Sequence, residues 1–395
     1  MQKMLLESHL KFERLLSMSK VFLLNSFKSI SFLALTLVIL LKFGTLSWGQ
    51  ISVYYLSLLV LQHITLFSFE TFCQHSILDN PSETTTIWKD AIRVRLSIAY
   101  LLIAIVVLFK IPLTLLFLAT CYLILQIYNE SYKVIAKLED KINSWNLISW
   151  LSLIVTIGWI LFTKSQLSFQ ELLILLVATQ GMRLALLCTY FYSTYPLPYL
   201  PRTDFTQLKK SGIYFLRSTI VLLNNKTPFL VGAIMLGSIS MSSFHMILLW
   251  TYTGSTITHL LGTSGILNFT EWNRDALKKS VLKMVIGGTV MGLTGVGVCL
   301  FFMNKLQMNT ISPWWMIPVF IILLFTSIQL PLLFALLKVK EEKNILRIFA
   351  VCVTLQTILG YWLLSQQEIV LCLWLLGATA VLQTLLYTKA LNRIL

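Results

Sequence analysis

Apolar blocks of about twenty residues alternate with short polar stretches along nearly the whole chain. A helix rises about 1.5 Å per residue, so a bilayer core asks for about 20 residues, and twelve blocks meet that length. They fall at roughly 21–41, 50–69, 92–109, 112–132, 146–162, 169–190, 211–236, 240–266, 281–303, 313–337, 345–364 and 369–391. No long run of strict apolar–polar alternation occurs, so helices and not a barrel are predicted to cross the membrane. Residues 1–18 carry Glu7, Lys11, Glu13 and Arg14, and no small-residue cleavage site follows the first block. They read as a cytoplasmic or interfacial helix and not as a cleaved leader.

Span 7 breaks the pattern. Its apolar run contains Arg217, Asn224, Asn225 and Lys226, and Pro228 follows. Proline lacks the amide that would bond the Asn224 carbonyl, so a broken or kinked helix lining a wet cavity is predicted. A charge near the middle of a span costs several kcal/mol unless water, protein or an anion meets it.

Composition agrees with a polytopic membrane protein. Of 395 residues, 57% are hydrophobic and 12% charged, against about 25% charged in soluble proteins, and the mean hydropathy is +0.79. The net charge of +15 is no sign of nucleic acid here, because the charges sit in the loops. One alternating set of loops holds most of the 31 lysines and arginines, including Lys89, Arg93 and Arg95; Lys133, Lys137 and Lys141; and Arg202, Lys209 and Lys210. The other set holds only Lys42, Lys110, Lys164 and Lys305. The positive-inside rule then puts both termini in the cytoplasm. Six cysteines lie mostly in apolar blocks without metal-ligand spacing, so neither a disulfide framework nor a metal site is expected, and no cofactor is implied.

The stretch TYPLPYLPRTD divides the spans six and six, with Pro196, Pro198 and Pro201 favouring an extended connector. This gives an N-terminal six-helix lobe at 1–195, a proline-rich cytoplasmic linker at 196–204 and a C-terminal six-helix lobe at 205–395. An even number of spans lets both halves enter from one side, as a parallel repeat requires. Matching features support the repeat. Phe43-Gly44-Thr45-Leu46-Ser47 parallels Leu236-Gly237-Ser238-Ile239-Ser240, Lys28-Ser29 parallels Arg217-Ser218, and His63 parallels His259. Pro112 and Pro313 each open the fourth span of their half.

Four basic residues remain inside spans: Lys28, Arg183, Arg217 and Lys226. Glu70, Glu130, Glu171 and Glu368 all lie near span ends, so the interior is predicted to be net cationic. At 100° per residue Arg217 and Asn224 share a face with Asn225 to one side, while Lys226 joins them only if the helix is distorted. Lys28 can also snorkel to the boundary, and His63 and His259 suit interhelical hydrogen bonds as well as a substrate. Gly287, Gly288, Gly292, Gly295 and Gly297 favour close helix packing. Trp48, Trp145, Trp314 and Trp315, near span ends, read as interfacial anchors. No GxxxxGKS loop is present and the outer loops are short, which argues against ATP hydrolysis and against an enzyme.

On the residues 25–49 and 208–240 the chain resembles the polysaccharide (O-antigen type) flippases of the MOP exporter superfamily. The resemblance implies an all-α polytopic fold, about twelve transmembrane helices in two pseudo-symmetric six-helix bundles (MOP/MATE-like). It further implies alternating-access flipping of undecaprenyl-pyrophosphate-linked oligosaccharide across the bacterial cytoplasmic (inner) membrane for surface polysaccharide assembly. The partners so implied are the lipid-linked oligosaccharide, membrane lipids and the polysaccharide polymerase machinery. Arg217, Lys226, Lys28 and Arg183, with Asn224, Asn225, His63 and His259, are then the substrate-binding candidates, the cations meeting the pyrophosphate. The chain departs from many relatives in having Ser211-Gly212 where they have proline early in span 7, and Asn224-Asn225-Lys226 where they carry an acid. The alternatives are a multidrug exporter of the same superfamily, or a membrane-embedded glycan polymerase or glycosyltransferase.

Overall fold

The computed structural model describes the backbone of residues 2–107, 112–163, 167–266, 274–305, 312–339 and 341–393. Within these, the side chains of 2–30, 32, 205, 213, 217, 218, 220–226, 256–266, 274, 276, 337, 338 and 342 lie outside the description. The described chain is all helical: α1 Gln2–Leu66, α2 Phe69–Asp79, α3 Thr84–Val107, α4 Leu113–Leu138, α5 Ile142–Phe162, α6 Phe169–Phe191, α7 Phe205–Met235, α8 Ser238–Ile266, α9 Arg274–Lys305, α10 Met316–Lys338, α11 Glu342–Ser365 and α12 Ile369–Asn392. α1 is two helices joined at Gly44, whose φ of 82° and ψ of 177° are open essentially to glycine alone. Its two arms, residues 2–43 and 45–66, together with α3 to α12 supply twelve long helical segments, matching the spans read from the sequence. Eight helical stretches among the described residues are apolar and long enough to cross a bilayer, and the chain is a multi-pass membrane protein.

Contacts group the chain into two compact units, residues 50–219 and residues 1–49 with 220–395. In the first, α4 is the centre, packed by α2, α3, α5 and α6. That enclosure explains why every residue from Asn129 to Ala136 is buried. Pro112 caps α4, and Ser168 and Glu171 form a capping box at the start of α6, with the Ser168 amide donating to the Glu171 carboxylate over 2.7 Å. Glu171 is therefore a helix-end residue, as its position suggests.

The proline-rich stretch is extended and tied to the same unit. Tyr128 Oη donates to Pro198 O over 2.9 Å and Tyr132 Oη to Tyr195 O over 3.1 Å. Asp90 holds both Arg93 and Arg202, at 3.3 and 3.2 Å. Burial and the neighbouring Glu139 carboxylate push the Tyr195 phenol up to about 12, so it remains a donor at neutral pH.

In the second unit α10 packs on α8, α9 and α12, and α12 on α11. Added methyls at Gly288, Gly292 and Gly295 would press on Ser327, Phe320 and Leu323 of α10, so these glycines do permit close packing of α9. The two glycine turns of the proposed repeat meet here. A Cβ on Gly49 would collide with the Ser238 carbonyl, and Ser242 Oγ donates to Thr45 O. Next to them Trp48 lies 5.2 Å from His245, whose ring is edge-on to Phe229 at 4.7 Å.

Two expectations are corrected. Trp48, Trp145 and Trp315 are buried, and only Trp314 of the four is exposed as an interfacial anchor would be. Trp48 packs against His245, and Trp145 carries Arg183 and Lys133 against its ring, so these two face protein. Of the broken or kinked helix expected at Pro228, the break is absent: α7 is helical through Pro228 to Met235. In a membrane helix nearby groups re-satisfy the one carbonyl that proline frees.

Candidate functional site

Within the first unit α4 brings Glu130, Lys133 and Lys137 onto adjoining positions of one face, at spacings of three and four. α2 supplies Glu70 opposite them. Lys133 Nζ lies 2.8 Å from Glu70 Oε2 and 3.9 Å from Glu130 Oε2, and Lys137 Nζ takes the other Glu70 oxygen, Oε1. α6 adds Arg183, whose guanidinium stands 4.5 Å from the centre of the Trp145 ring of α5. Lys133 approaches the same ring at 5.6 Å. The Glu130 carboxylate acts on the Arg183 guanidinium as its main opposite charge.

Removing such ions from water costs several kcal/mol apiece, and only close counter-charges and hydrogen bonds return it. Three cations share two carboxylates here, and the aromatic face of Trp145 supplies further electron density. The polar seam continues along α4. Asn129 Nδ2 donates to Gln180 Oε1 at 2.9 Å, Trp145 Nε1 to Asn129 O at 3.5 Å, and Gln62 Nε2 to Gln126 Oε1 at 3.2 Å. Tyr122 Oη donates to Gln62 Oε1 over 3.3 Å.

A second buried cation has a different task. Arg95 of α3 is fully buried and donates to the carbonyls of Leu66 at 3.3 Å, Phe67 at 3.2 Å and Ala91 at 3.4 Å, and to Gln207 Oε1 at 3.4 Å. It thus satisfies the carbonyl end of α1, where a helix leaves acceptors unbonded and favours positive charge. Phe69 and Phe72 flank it at 5.6 and 5.3 Å.

Of the residues singled out in the sequence, Arg183 is in this cluster, 4% exposed, so it is a packed interior residue of the unit. His63, in the second arm of α1, is half-buried. Its Nε2 lies 3.2 Å from Thr219 Oγ1 of α7, and its ring stacks on Phe215 at 5.8 Å. Lys28 is on the first arm of α1, Arg217, Asn224, Asn225 and Lys226 are on α7, and His259 is on α8; the side chains of all six lie outside the described residues. On the unbroken α7, positions 217 and 226 are nine residues apart and half a turn out of register. The sequence reading missed Glu70, Glu130, Lys133 and Arg95 as interior charges. The signal available for Glu130 and Lys133 was an acid and a base three apart at the end of an apolar run.

No family model and no characterised protein matches the sequence. Solved structures do match the fold. An inward-facing multidrug resistance MATE family transporter of the MOP superfamily superposes with a TM-score of 0.59 at 12% identity, over 91% of this chain and 95% of that one. An outward-facing MATE family transporter of the same superfamily gives 0.54 at 11% identity, over 95% and 94%. The chain therefore has a MATE-type fold.

Proposed function

We propose that this protein is a transporter that flips undecaprenyl-pyrophosphate-linked oligosaccharide units across the bacterial cytoplasmic membrane by alternating access, for surface polysaccharide assembly. The observation that carries the reading is the sign of the interior charge. Arg183, Lys133 and Lys137 exceed Glu70 and Glu130 within one unit of a MATE-type fold, and Arg217, Lys226 and Lys28 add cations on α7 and α1. A multiply charged diphosphate suits such an interior. In this reading Arg217 and Lys226, helped by Lys28, meet the diphosphate, while residues 1–195 and 205–395 act as two halves joined by the linker at 196–204. The termini are cytoplasmic, and the polymerase machinery receives the product.

A multidrug exporter is the second reading, favoured by the solved structures of this fold being multidrug transporters. Cationic drugs ask for acidic interior groups, and both interior carboxylates of the cluster already hold lysines. Deleting the gene separates the two. Loss of surface glycan with lipid-linked units accumulating inside, at unchanged drug susceptibility, supports flipping. Intact glycan with raised drug susceptibility supports the alternative.

A further inference from the structure

We infer that Lys133 and Lys137 form a docking site for a diphosphate headgroup at the end of α4, and that Glu70 is the internal anion holding the site until the headgroup displaces it. The inference rests on the substrate reading above and gives it a location not visible in the sequence. Spacing of four residues puts both ammonium groups on one face of α4. They converge on the two oxygens of a single carboxylate, at 2.8 Å from Lys133 to Oε2 and with Lys137 on Oε1. Two converging point charges are a phosphate-binding arrangement.

The charges around the pair favour a stronger anion than one carboxylate. Glu130 is shared between Lys133, at 3.9 Å, and Arg183, so three cations meet two carboxylates and one positive charge stays in excess. Access is from the Glu70 side: the Lys133 side chain is only 9% exposed, whereas those of Lys137 and Glu70 are 28% and 29% exposed. Glu70 is set beside the two lysines by the start of α2. It lies in the first turn of the eleven-residue α2, directly after Phe67 and Ser68, which hold φ values of 43° and 54° in the left-handed region. Asp90 offers a contrast. It too sits between two cations, Arg93 and Arg202, but both are more than one-third exposed.

The test uses the full-length chain in phosphatidylcholine nanodiscs, with inorganic pyrophosphate and a short-chain polyprenyl diphosphate as probes. Glu70→Gln should raise the affinity for both about tenfold, Lys137→Gln should lower it at least tenfold, and Asp90→Asn should leave it unchanged. Lys137 is the less buried member of the pair, and circular dichroism checks that its variant folds. Equal gains in Glu70→Gln and Asp90→Asn, or unchanged affinity in Lys137→Gln, would overturn the site. So would phosphatidylglycerol competing as well as the diphosphate at equal phosphate. Absent binding beside intact glycan export removes this site and leaves the flippase reading; Lys137-dependent binding in a chain that exports drugs and no glycan supports the site and removes that reading.

Discussion

The guanidinium of Arg95 donates to the carbonyl of Phe67 across 3.2 Å, joining α3 to the end of α1. The same side chain reaches Leu66, Ala91 and Gln207, so a single fork closes a helix end and fastens the start of α7. Arg95→Ala strips the carbonyls of that fork and should cost about 3 kcal/mol or more. Arg95→Lys keeps the charge but not the geometry and should recover only part of it. Thermal unfolding in detergent, followed by size-exclusion fluorescence, measures both; wild-type midpoints for both variants would remove Arg95 from this role.

Gly49 and Ser238 meet at their backbones, where no side chain fits. Gly49→Ala should lose about 1–3 kcal/mol by overpacking. Gly44→Ala should lose a similar amount by backbone strain, since its φ of 82° is closed to alanine without cost. Folded yield after solubilisation reports both, and Gly287→Ala, with nothing within 4 Å, serves as the neutral comparison.

These contacts show what the linear pattern carries. The apolar blocks mark the spans because bilayer thickness imposes a length, and the glycine turn at 44 is visible because it separates two such blocks. The tie between the turns at 44–49 and 237–242 rests on the juxtaposition of two local motifs that resemble each other. The interior of the first unit is a different matter. Arg95, Lys133 and Lys137 fall in stretches that read as basic loops, and nothing local tells a solvated lysine from one enclosed by α2. Glu130 reads as a span-end acid because α4 continues two turns past it, beyond the apolar block. Pro228 predicts a break or a kink by its missing amide, and α7 runs on as helix past it.

Arg183 and Trp145 stack within one unit, so Arg183→Ala should act on folding. It takes the guanidinium from the Trp145 ring and leaves Glu130 and the ring with Lys133 alone, at about 2 kcal/mol. Protein level and export should fall together. If export vanished while the purified variant kept its wild-type unfolding midpoint, Arg183 would belong to substrate binding.

In the proposed orientation Asn80 and Asp140 are cytoplasmic. Single cysteines there, in a background with the six free native cysteines replaced, should react with a membrane-impermeant maleimide only after the cytoplasmic face is opened. Labelling of position 140 in intact cells would break both the topology and the parallel repeat.

The flipping reaction itself tests the account most directly. Purified wild-type protein and the Arg217→Ala and Arg217→Lys variants are reconstituted in liposomes with a fluorescent lipid-diphosphate oligosaccharide, and its arrival in the opposite leaflet is followed by an impermeant quencher. The account predicts transfer by the wild type, partial transfer by Arg217→Lys, where charge survives without the fork, and none by Arg217→Ala. Wild-type protein that leaves this lipid in place while moving a cationic drug across the same liposomes would contradict it.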